Sequence, residues 1–248
     1  MLPRTCLRLL FAILMLPLAA AAAVPDMVEV RSEFLYATTA QMKAAIQAAG
    51  IDSMSGPFSA KQAAIVREKS REGGAEFFSD PCTMARNGMG STVTSVREVR
   101  YPVKYVPSEK EPGKSIPTAF ETRNAGVEMK FVPTISPNGS TIDLQVSPTV
   151  TTFLGFIDYA AAKPARAAGD SSLESLLKAP LSPGGIWTPV FSTFSLETTI
   201  TLGNGQSVLL GGVMKVGKIP PRGDGSEPKS QAPEQQVFVL ITAKTISP

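Results

Sequence analysis

Residues 189–212, PVFSTFSLETTITLGNGQSVLLGG, carry the most regular strand pattern in the chain. From 194 to 202, apolar or threonine side chains alternate with polar ones, as in a strand that is half buried in a sheet. Gly203-Asn204-Gly205 supplies residues that accept positive φ, and the apolar run 208–210 follows. This stretch therefore predicts a hairpin: a strand, a tight turn and a second strand.

The composition is typical of a protein rich in strands and turns. The chain has 248 residues, of which 43% are apolar and 18% charged, with 21 prolines and 20 glycines. This apolar content is too high for a disordered chain, and the length allows one large domain with a sizeable core. We predict a mainly β fold with two short α-helices.

The first 23 residues have the pattern of a signal peptide. Arg4 and Arg8 precede an apolar run at 9–18, and the small residues 19–23 suit cleavage before Val24. The run is short for a membrane-spanning helix, although an uncleaved anchor remains the alternative. The sequence therefore predicts export, with residues 24–248 as the mature protein.

Two helices are predicted near the start of the mature chain. Thr38 with Gln41, and Ser59 with Gln62, each form the capping-box pattern that begins a helix. Glycines at position 50 and at 73–74 would end these helices. We expect strands before and after them, at 28–36 and 75–78, followed by a long strand at 93–105.

The second half of the chain is predicted to contain another hairpin and a long insertion. Alternating apolar residues at 127–131 and 142–146 flank a Pro-Asn-Gly turn. After a strand-like segment at 150–159, residues 160–185 mix Ala, Gly, Pro and Ser around a helical turn at 173–177. Residues 24–106 are thus the strand-helix-helix-strand part, and residues 118–248 the hairpin part.

The sequence offers little chemistry for catalysis, cofactors or metals. It contains no histidine, which removes the usual general base and the commonest metal ligand. Without the leader, Cys82 is the remaining cysteine, so no intramolecular disulfide can form, and we interpret it as a small packing residue. We predict no catalytic, cofactor-binding or metal-binding residues, and hence no enzyme.

Nucleic-acid binding is not expected either. Without Arg4 and Arg8, the formal net charge falls from +3 to +1, which gives no basic surface for phosphates. Gly113-Lys114-Ser115 lacks the first glycine of a P-loop, and Gly203-Asn204-Gly205 lacks the third glycine of a dinucleotide fingerprint. Asn138-Gly139-Ser140 is formally a glycosylation acceptor, but Asn-Gly is also a favoured turn.

Alternating polar and apolar faces leave two architectures open. A sheet with one solvated side and a barrel wall with a wet lumen show the same period of two. The periodicity does not separate these two alternatives.

Several segments of the chain resemble the secretin family, the outer-membrane channels of type II and type III secretion and of type IV pili. Residues 205–213, GQSVLLGGV, are similar to the family's Gly-Gln turn, aliphatic triplet and Gly-Gly. Residues 126–133, GVEMKFVP, resemble its "G-V-x-L-x-V-x-P" strand, and 142–146 and 237–246 resemble later strands. The matching motif residues are Gly126, Val127, Pro133, Gly205, Gln206, Val208, Gly211 and Gly212.

The resemblance implies a secretin β-domain, in which each subunit adds strands to a large, double-walled, multi-subunit barrel. It implies a homo-oligomer that works with secretion or pilus machinery in the outer membrane or periplasm of a diderm bacterium. The insertion 160–185 would be the inner gate, with Gly155, Gly169, Gly184 and Gly185 as its glycines. The family's usual N-terminal ring domains are not expected, and the polar segment 216–233 stands where members have an amphipathic membrane-seeking segment.

Three functions are therefore compared. The first is a homo-oligomeric outer-membrane channel for protein secretion or pilus passage. The second is a soluble periplasmic structural or accessory protein without a pore, and the polar segment 216–233 motivates it. The third, a periplasmic enzyme, is the least supported because the sequence lacks histidine and catalytic motifs.

Overall fold

The structure, a computed structural model, describes residues 27–54, 56–158, 173–216 and 235–246, and it confirms the mainly β fold. Within these ranges, ten strands form two antiparallel sheets, accompanied by three short helices. In chain order the elements are β1 Met27–Ala37, α1 Thr39–Ala48, α2 Ala60–Glu72, β2 Glu76–Ser79, β3 Cys82–Arg86, β4 Ser91–Pro107, β5 Ser115–Ile135, β6 Thr141–Asp158, α3 Leu173–Lys178, β7 Trp187–Ser195, β8 Thr198–Gly203, β9 Ser207–Val216 and β10 Gln235–Ile246.

The first sheet, sheet A, is built on the pairing of β1 with β10. This ladder runs from Met27↔Ile246 to Ala37↔Gln236 without a shift. The short strands β2 and β3 pair with successive parts of β1 along its other edge, and β9 pairs with β10. One face of sheet A packs against the second sheet, and the other packs against α1 and α2. β10 is consequently buried on both faces, as its continuous apolar run at 237–241 predicts.

Both predicted helices are confirmed, together with their caps. In α1 the Thr38 side chain accepts from the Gln41 amide, and Gln41 Oε1 accepts from the Thr38 amide at 2.7 Å. Ser59 and Gln62 make the same reciprocal pair at the start of α2. Each pair satisfies two amides that the first helical turn leaves without partners.

A buried ion pair holds α2 on sheet A. Glu33 of β1 is 1% exposed and forms a salt bridge with the half-buried Arg67 of α2. The Arg67 guanidinium also donates to Thr242 Oγ1 of β10 at 3.3 Å. One arginine therefore joins the helix to two neighbouring strands. The other oxygen of the Glu33 carboxylate, Oε1, is buried and has no hydrogen-bond partner among the described residues.

The second sheet, sheet B, has the order β4-β5-β6-β7, with β8 also paired to β6. Its registers place Val93 of β4, Met129 of β5 and Pro148 of β6 in one row across the sheet. Leu196 completes the row, since its amide donates to the Pro148 carbonyl at 3.1 Å. The hydrophobic core surrounds this row of residues and fills the space between the two sheets.

The predicted strand at 194–202 alternates as expected, but its ladder is interrupted. Phe194 and Leu202 are buried, whereas Glu197 and Thr201 are exposed. β7 and β8 pair with β6 in one register, from Val150↔Phe194 to Thr141↔Gly203, with a break at 196–197. The break lies opposite Pro148, which has no N–H to donate to the ladder.

The hairpin predicted around Gly203-Asn204-Gly205 is wrong. β8 belongs to sheet B and β9 to sheet A, so this turn carries the chain from one sheet to the other. It is fastened to β10: the Gly205 amide donates to the Ala243 carbonyl at 2.9 Å, and the Thr245 amide donates to Asn204 Oδ1 at 3.0 Å. The alternation of side chains correctly predicts two strands, each with an apolar face. It does not predict which sheet each strand joins, because the space between the two sheets buries both apolar faces.

The chain also crosses between the sheets at 87–90, from β3 to β4. Here the Gly88 amide donates to the Pro133 carbonyl at 2.7 Å, and the Ile135 amide donates to Asn87 Oδ1 at 2.8 Å. Ile135 and Gly203 both lie beside the predicted turn at 136–140, which the structure confirms. Both crossings are therefore at the same end of the sandwich.

Other differences from the sequence prediction concern strand lengths and Cys82. β4 runs to Pro107, beyond the predicted strand at 93–105, and the segment predicted at 150–159 is the continuation of β6. β3 was not predicted. Cys82 begins β3 and is exposed, so its interpretation as a packing residue is wrong.

Candidate functional site

Sheet B forks where β5 meets β6. The ladder between these strands ends at Gly126↔Thr151. Beyond this point β5 continues to pair with β4 as far as Ser115↔Pro107, and β6 continues to pair with β7 as far as Asp158↔Trp187. Two separate hairpins result, which we name the β4–β5 arm (96–107 and 115–126) and the β6–β7 arm (151–158 and 187–193).

The two arms overlap face to face. On β5, Arg123 points to the same side as Val127, which faces sheet A. On β7, Phe191 and Thr193 are on the side opposite to Phe194, which also faces sheet A. Arg123 nevertheless contacts both of them, with its guanidinium 4.6 Å from the Phe191 ring centroid and 3.4 Å from Thr193 Oγ1. The β6–β7 arm therefore lies on the sheet A side of the β4–β5 arm.

A reciprocal pair of hydrogen bonds joins the arms further out. The Trp187 amide donates to Tyr105 Oη at 2.9 Å, and the Tyr105 hydroxyl donates to the Trp187 carbonyl at 3.0 Å. One phenol thus satisfies both backbone groups of a residue at the start of β7. We call the contacts of Tyr105 with Trp187, and of Arg123 with Phe191 and Thr193, the clasp.

Beyond the clasp, a further hydrogen bond is made at the tip of the β4–β5 arm. The Ser115 amide donates to the Gly184 carbonyl at 2.7 Å. Asp158, at the end of β6 and fully buried, accepts from the Ser182 amide at 2.9 Å. The turn at 182–185 is therefore fixed to β6 on one side and to the start of β5 on the other.

An aromatic cavity of about 440 Å³ lies between the arms. Its wall includes Tyr101, Tyr105, Trp187, Phe191 and Arg123. The Tyr101 and Phe191 rings meet edge to face, with centroids 5.9 Å apart. Side chains and not a backbone ladder therefore connect the outer parts of sheet B.

A second cavity, of about 380 Å³, lies at the fork itself. Tyr36 and Phe78 of sheet A border it, with rings stacked 4.2 Å apart, and Thr152 of β6 borders it opposite. The Tyr36 hydroxyl lies 3.4 Å from Thr152 Oγ1. Burial raises the pKa of Tyr36 above its ordinary value, since it disfavours the phenolate.

The motif glycines Gly126 and Gly211 lie where two backbones approach closely. Gly126 has φ of 141°, and a Cβ there would lie 2.3 Å from the Ser95 carbonyl oxygen of β4. Gly211 has φ of 125°, and a Cβ there would lie 2.3 Å from the Val237 carbonyl oxygen of β10. Gly126 is at the fork, and Gly211 begins a register shift between β9 and β10.

The other motif residues belong to the core and to the crossing turn. Gly205 has φ of 77°, and Gln206 Oε1 accepts from the Gly203 amide at 2.8 Å. Gly212 follows Gly211 with φ of 84°. The remaining three, Val127, Pro133 and Val208, are buried.

The expected gate residues are only partly described. Gly155 has φ of 143° and lies at the register shift between β6 and β7. Gly184, with φ of 75°, lies against Lys114, and a Cβ on Gly185 would lie 2.4 Å from Asp158 Oδ2. Gly169 lies outside the described residues, as does the whole first half of the insertion, 160–172. The aromatic clasp had no signal in the sequence, because Tyr105 and Trp187 are far apart in the chain.

The edges of the two sheets differ. In sheet B, β4 forms one edge and β7–β8 the opposite edge. In sheet A, Phe58 bridges the free side of β9 at Ser207, with N···O distances of 2.6 and 2.9 Å, and the other edge is split between two short strands. Sheet B thus has long edges on both of its sides, whereas sheet A has one on the β9 side alone.

Two further properties of the described residues bear on function. They contain no group of three His, Cys, Asp or Glu side chains that could hold a metal ion. None of the helices in the described ranges is long and apolar enough to span a membrane.

The described residues define a mainly β protein whose second sheet is forked and open at its edges, and comparison with known proteins gives the family. Residues 69–218, more than half of the chain, match the Secretin family, described as bacterial type II and III secretion system protein. The chain belongs to the secretin family.

Relatives of this chain are distant. It is 25% identical over 198 residues to the uncharacterized protein y4xJ of Sinorhizobium fredii (strain NBRC 101917 / NGR234), covering 75% of this chain and 40% of that protein. Among solved structures it is similar to the Salmonella SPI-1 type III secretion injectisome secretin InvG, with 13% identity and a TM-score of 0.39. The match covers 90% of this chain and 66% of the InvG chain. It is also similar to a chain of the ETEC pilotin-secretin AspS-GspD complex, with 14% identity and a TM-score of 0.40. That match covers 90% of this chain and 50% of the other. The chain thus spans less than half of its curated relative.

Proposed function

We propose that this protein is an exported subunit of a homo-oligomeric outer-membrane channel for protein secretion or pilus passage. Membership of the secretin family supports the general role in secretion. The observation that carries the oligomer is the pair of long open edges on opposite sides of sheet B. An open edge is a template for pairing with another chain, and a closed ring removes it.

The strand directions suit such a ring. Sheet B has four strand positions that alternate in direction, so β4 and β7–β8 run antiparallel to each other. Copies related by rotation about one axis would place β4 of one copy beside β7–β8 of the next, again antiparallel. Every added copy continues the same antiparallel sheet, which is the requirement for closing a barrel.

We assign residues 24–248 to one β-domain after a signal peptide at 1–23, and residues 160–185 to the gate of this channel. The proposed gate begins and ends on the β6–β7 arm, on the sheet A side of the β4–β5 arm. Deleting residues 160–172 is expected to raise single-channel conductance in planar bilayers, whereas deleting the polar residues 218–230 leaves it unchanged. Equal conductance for the full chain and the 160–172 deletion contradicts the gate.

The channel itself is tested with the full-length chain expressed in a diderm host. We expect the protein to remain in the outer-membrane fraction after carbonate washing and to form rings in negative-stain images of the detergent extract. A monomer in the soluble periplasmic fraction would instead support an accessory protein without a pore.

A further inference from the structure

We infer that the aromatic cavity between the two arms is a binding site for a small planar aromatic anion, an aromatic ring system that carries one carboxylate. The site lies within a single chain, so the inference does not depend on the channel proposed above. Its walls are aromatic rings and one guanidinium, and both arms contribute to them.

The size and the lining of the cavity suit an apolar ligand. Its volume of about 440 Å³ is within the range of about 300–1,000 Å³ that is usual for small-molecule sites. Besides its four rings, the cavity is lined by Val103 and Ile186, whose side chains are 45% and 54% exposed. A ligand in the cavity would remove this apolar surface from water, which is favourable.

The rings of the cavity are already held in place. The Trp187 indole Nε1 donates to the Ser182 carbonyl at 3.2 Å, and the backbone of Trp187 is bound by the Tyr105 phenol. The Tyr101 and Phe191 rings fix each other edge to face. Aromatic side chains also have few rotatable bonds, so the site loses little conformational freedom when a ligand binds. Flat rings of this kind favour a flat aromatic ligand.

The charge of the ligand follows from Arg123. It is the one charged residue among those that line the cavity. Its guanidinium stacks on Phe191 and donates to Thr193 Oγ1, and it forms no salt bridge with any residue that the structure describes. A guanidinium has five N–H donors in a planar fork that matches a carboxylate. Arg123 can therefore bind a carboxylate while the rings hold the apolar part of the ligand.

Glu121 limits the ligand to a single negative charge. It lies two residues from Arg123 on the same face of β5, and its carboxylate accepts from the Tyr101 hydroxyl at 3.4 Å. Glu121 does not line the cavity itself. Its charge would repel a second anionic group of the ligand, whereas a first one is paired with Arg123.

Two probes of the same shape test the site in the full-length chain. The detergent-purified protein is titrated with 2-naphthoate in a calorimeter, and the emission of Trp187, the single tryptophan, is followed in parallel. A titration of the detergent alone is subtracted. We expect saturable binding of one probe per chain, with less acrylamide quenching of Trp187. The neutral analogue 2-naphthamide should bind at least about tenfold more weakly, because it cannot make charge-assisted hydrogen bonds to Arg123. Equal affinities for the two probes, or heat that never saturates, would overturn the inference without any substitution.

A pair of variants then assigns the charge recognition. Arg123→Gln should weaken the binding of 2-naphthoate by about tenfold or more and leave that of 2-naphthamide unchanged. Arg100→Gln is the matched control, because Arg100 also stacks on a ring, that of Phe120 at 4.5 Å, but on the opposite face of the same arm and outside the cavity. It should bind both probes as the parent chain does.

The outcomes that contradict this assignment are distinct. An equal loss of 2-naphthoate affinity in the two variants would show that only the net charge of the arm matters. An Arg123→Gln variant that loses affinity for both probes alike would show that Arg123 maintains the shape of the cavity and does not bind the anion. Either result refutes the anion site and leaves the proposed channel untouched.

Discussion

Tyr105 and Trp187 satisfy each other's hydrogen bonds across the gap between two arms that share no backbone ladder. The phenol accepts from the Trp187 amide at 2.9 Å and donates to the Trp187 carbonyl at 3.0 Å. The start of β7 therefore depends on a side chain of β4 for the pairing that a neighbouring strand would normally provide.

The first prediction concerns this contact. Tyr105→Phe keeps the ring but leaves the Trp187 amide and carbonyl without partners, at a cost of about 1–3 kcal/mol. Trp187 is the single tryptophan of the chain, so its fluorescence reports directly on the clasp. We expect a red-shifted emission and stronger acrylamide quenching. Tyr101→Phe is the matched control, because the hydrogen bond of the Tyr101 hydroxyl to Glu121 is exposed and 3.4 Å long. An equal shift in both variants contradicts the prediction.

The second prediction separates steric from conformational demands on two motif glycines. At Gly211 a Cβ would lie 2.3 Å from the Val237 carbonyl oxygen, whereas at Gly205 nothing lies within 4 Å. Both have positive φ. Gly205→Ala should therefore cost only the backbone strain of about 1–2 kcal/mol, and Gly211→Ala clearly more, because β10 must move. Urea unfolding midpoints of the two variants measure the difference, and equal midpoints would disprove it.

The third prediction concerns the buried pair of Glu33 and Arg67. Arg67→Met leaves a buried carboxylate without a counter-ion and should destabilise the fold by about 3–5 kcal/mol. Because Glu33 Oε1 already lacks a hydrogen-bond partner in the described part of the chain, converting both residues to apolar ones should recover most of this loss. Chemical denaturation of Arg67→Met and of Glu33→Met/Arg67→Met tests the pair. A double variant as unstable as the single one argues against it.

The fourth prediction concerns pH. Burial raises the pKa of Tyr36 in the folded protein above its ordinary value of 10.0. The neutral phenol is thus favoured by folding, so its contribution is complete below pH 10 and is lost as the pH rises through the folded pKa. We expect the unfolding free energy to fall more steeply above pH 10 in the parent chain than in Tyr36→Phe. Parallel stability profiles for the two proteins would refute this assignment.

Local features of the fold could be predicted from the sequence because their causes are local. The capping pairs Thr38–Gln41 and Ser59–Gln62 satisfy amides three residues away, so the sequence places both helix starts correctly. The alternation at 194–202 likewise predicts which side chains are buried, since a strand turns each successive residue to the other face. The family could also be identified, because residues 205–213 carry a short, continuous motif.

Features that depend on distant partners could not be predicted. The alternation at 194–202 does not reveal that β8 pairs with β6 and β9 with β10, because each strand has an apolar face that fits either arrangement. The break at 196–197 depends on Pro148, which lies across the sheet. Within the clasp, Tyr105 and Trp187 are 82 positions apart, and neither differs from an ordinary strand aromatic in the sequence.

The two crossings of the chain between the sheets give the sandwich a direction in which it can open. Both lie beside the turn at 136–140, and the described residues contain no covalent link between the sheets at the forked end. A separation of the sheets must therefore start at Tyr36 and Gly126 and travel towards Gly88 and Gly205. Backbone amides should exchange with deuterium earliest at the fork and latest beside the two crossing turns. The end of the sandwich at which the chain joins the two sheets is thus the last part of the core to admit water.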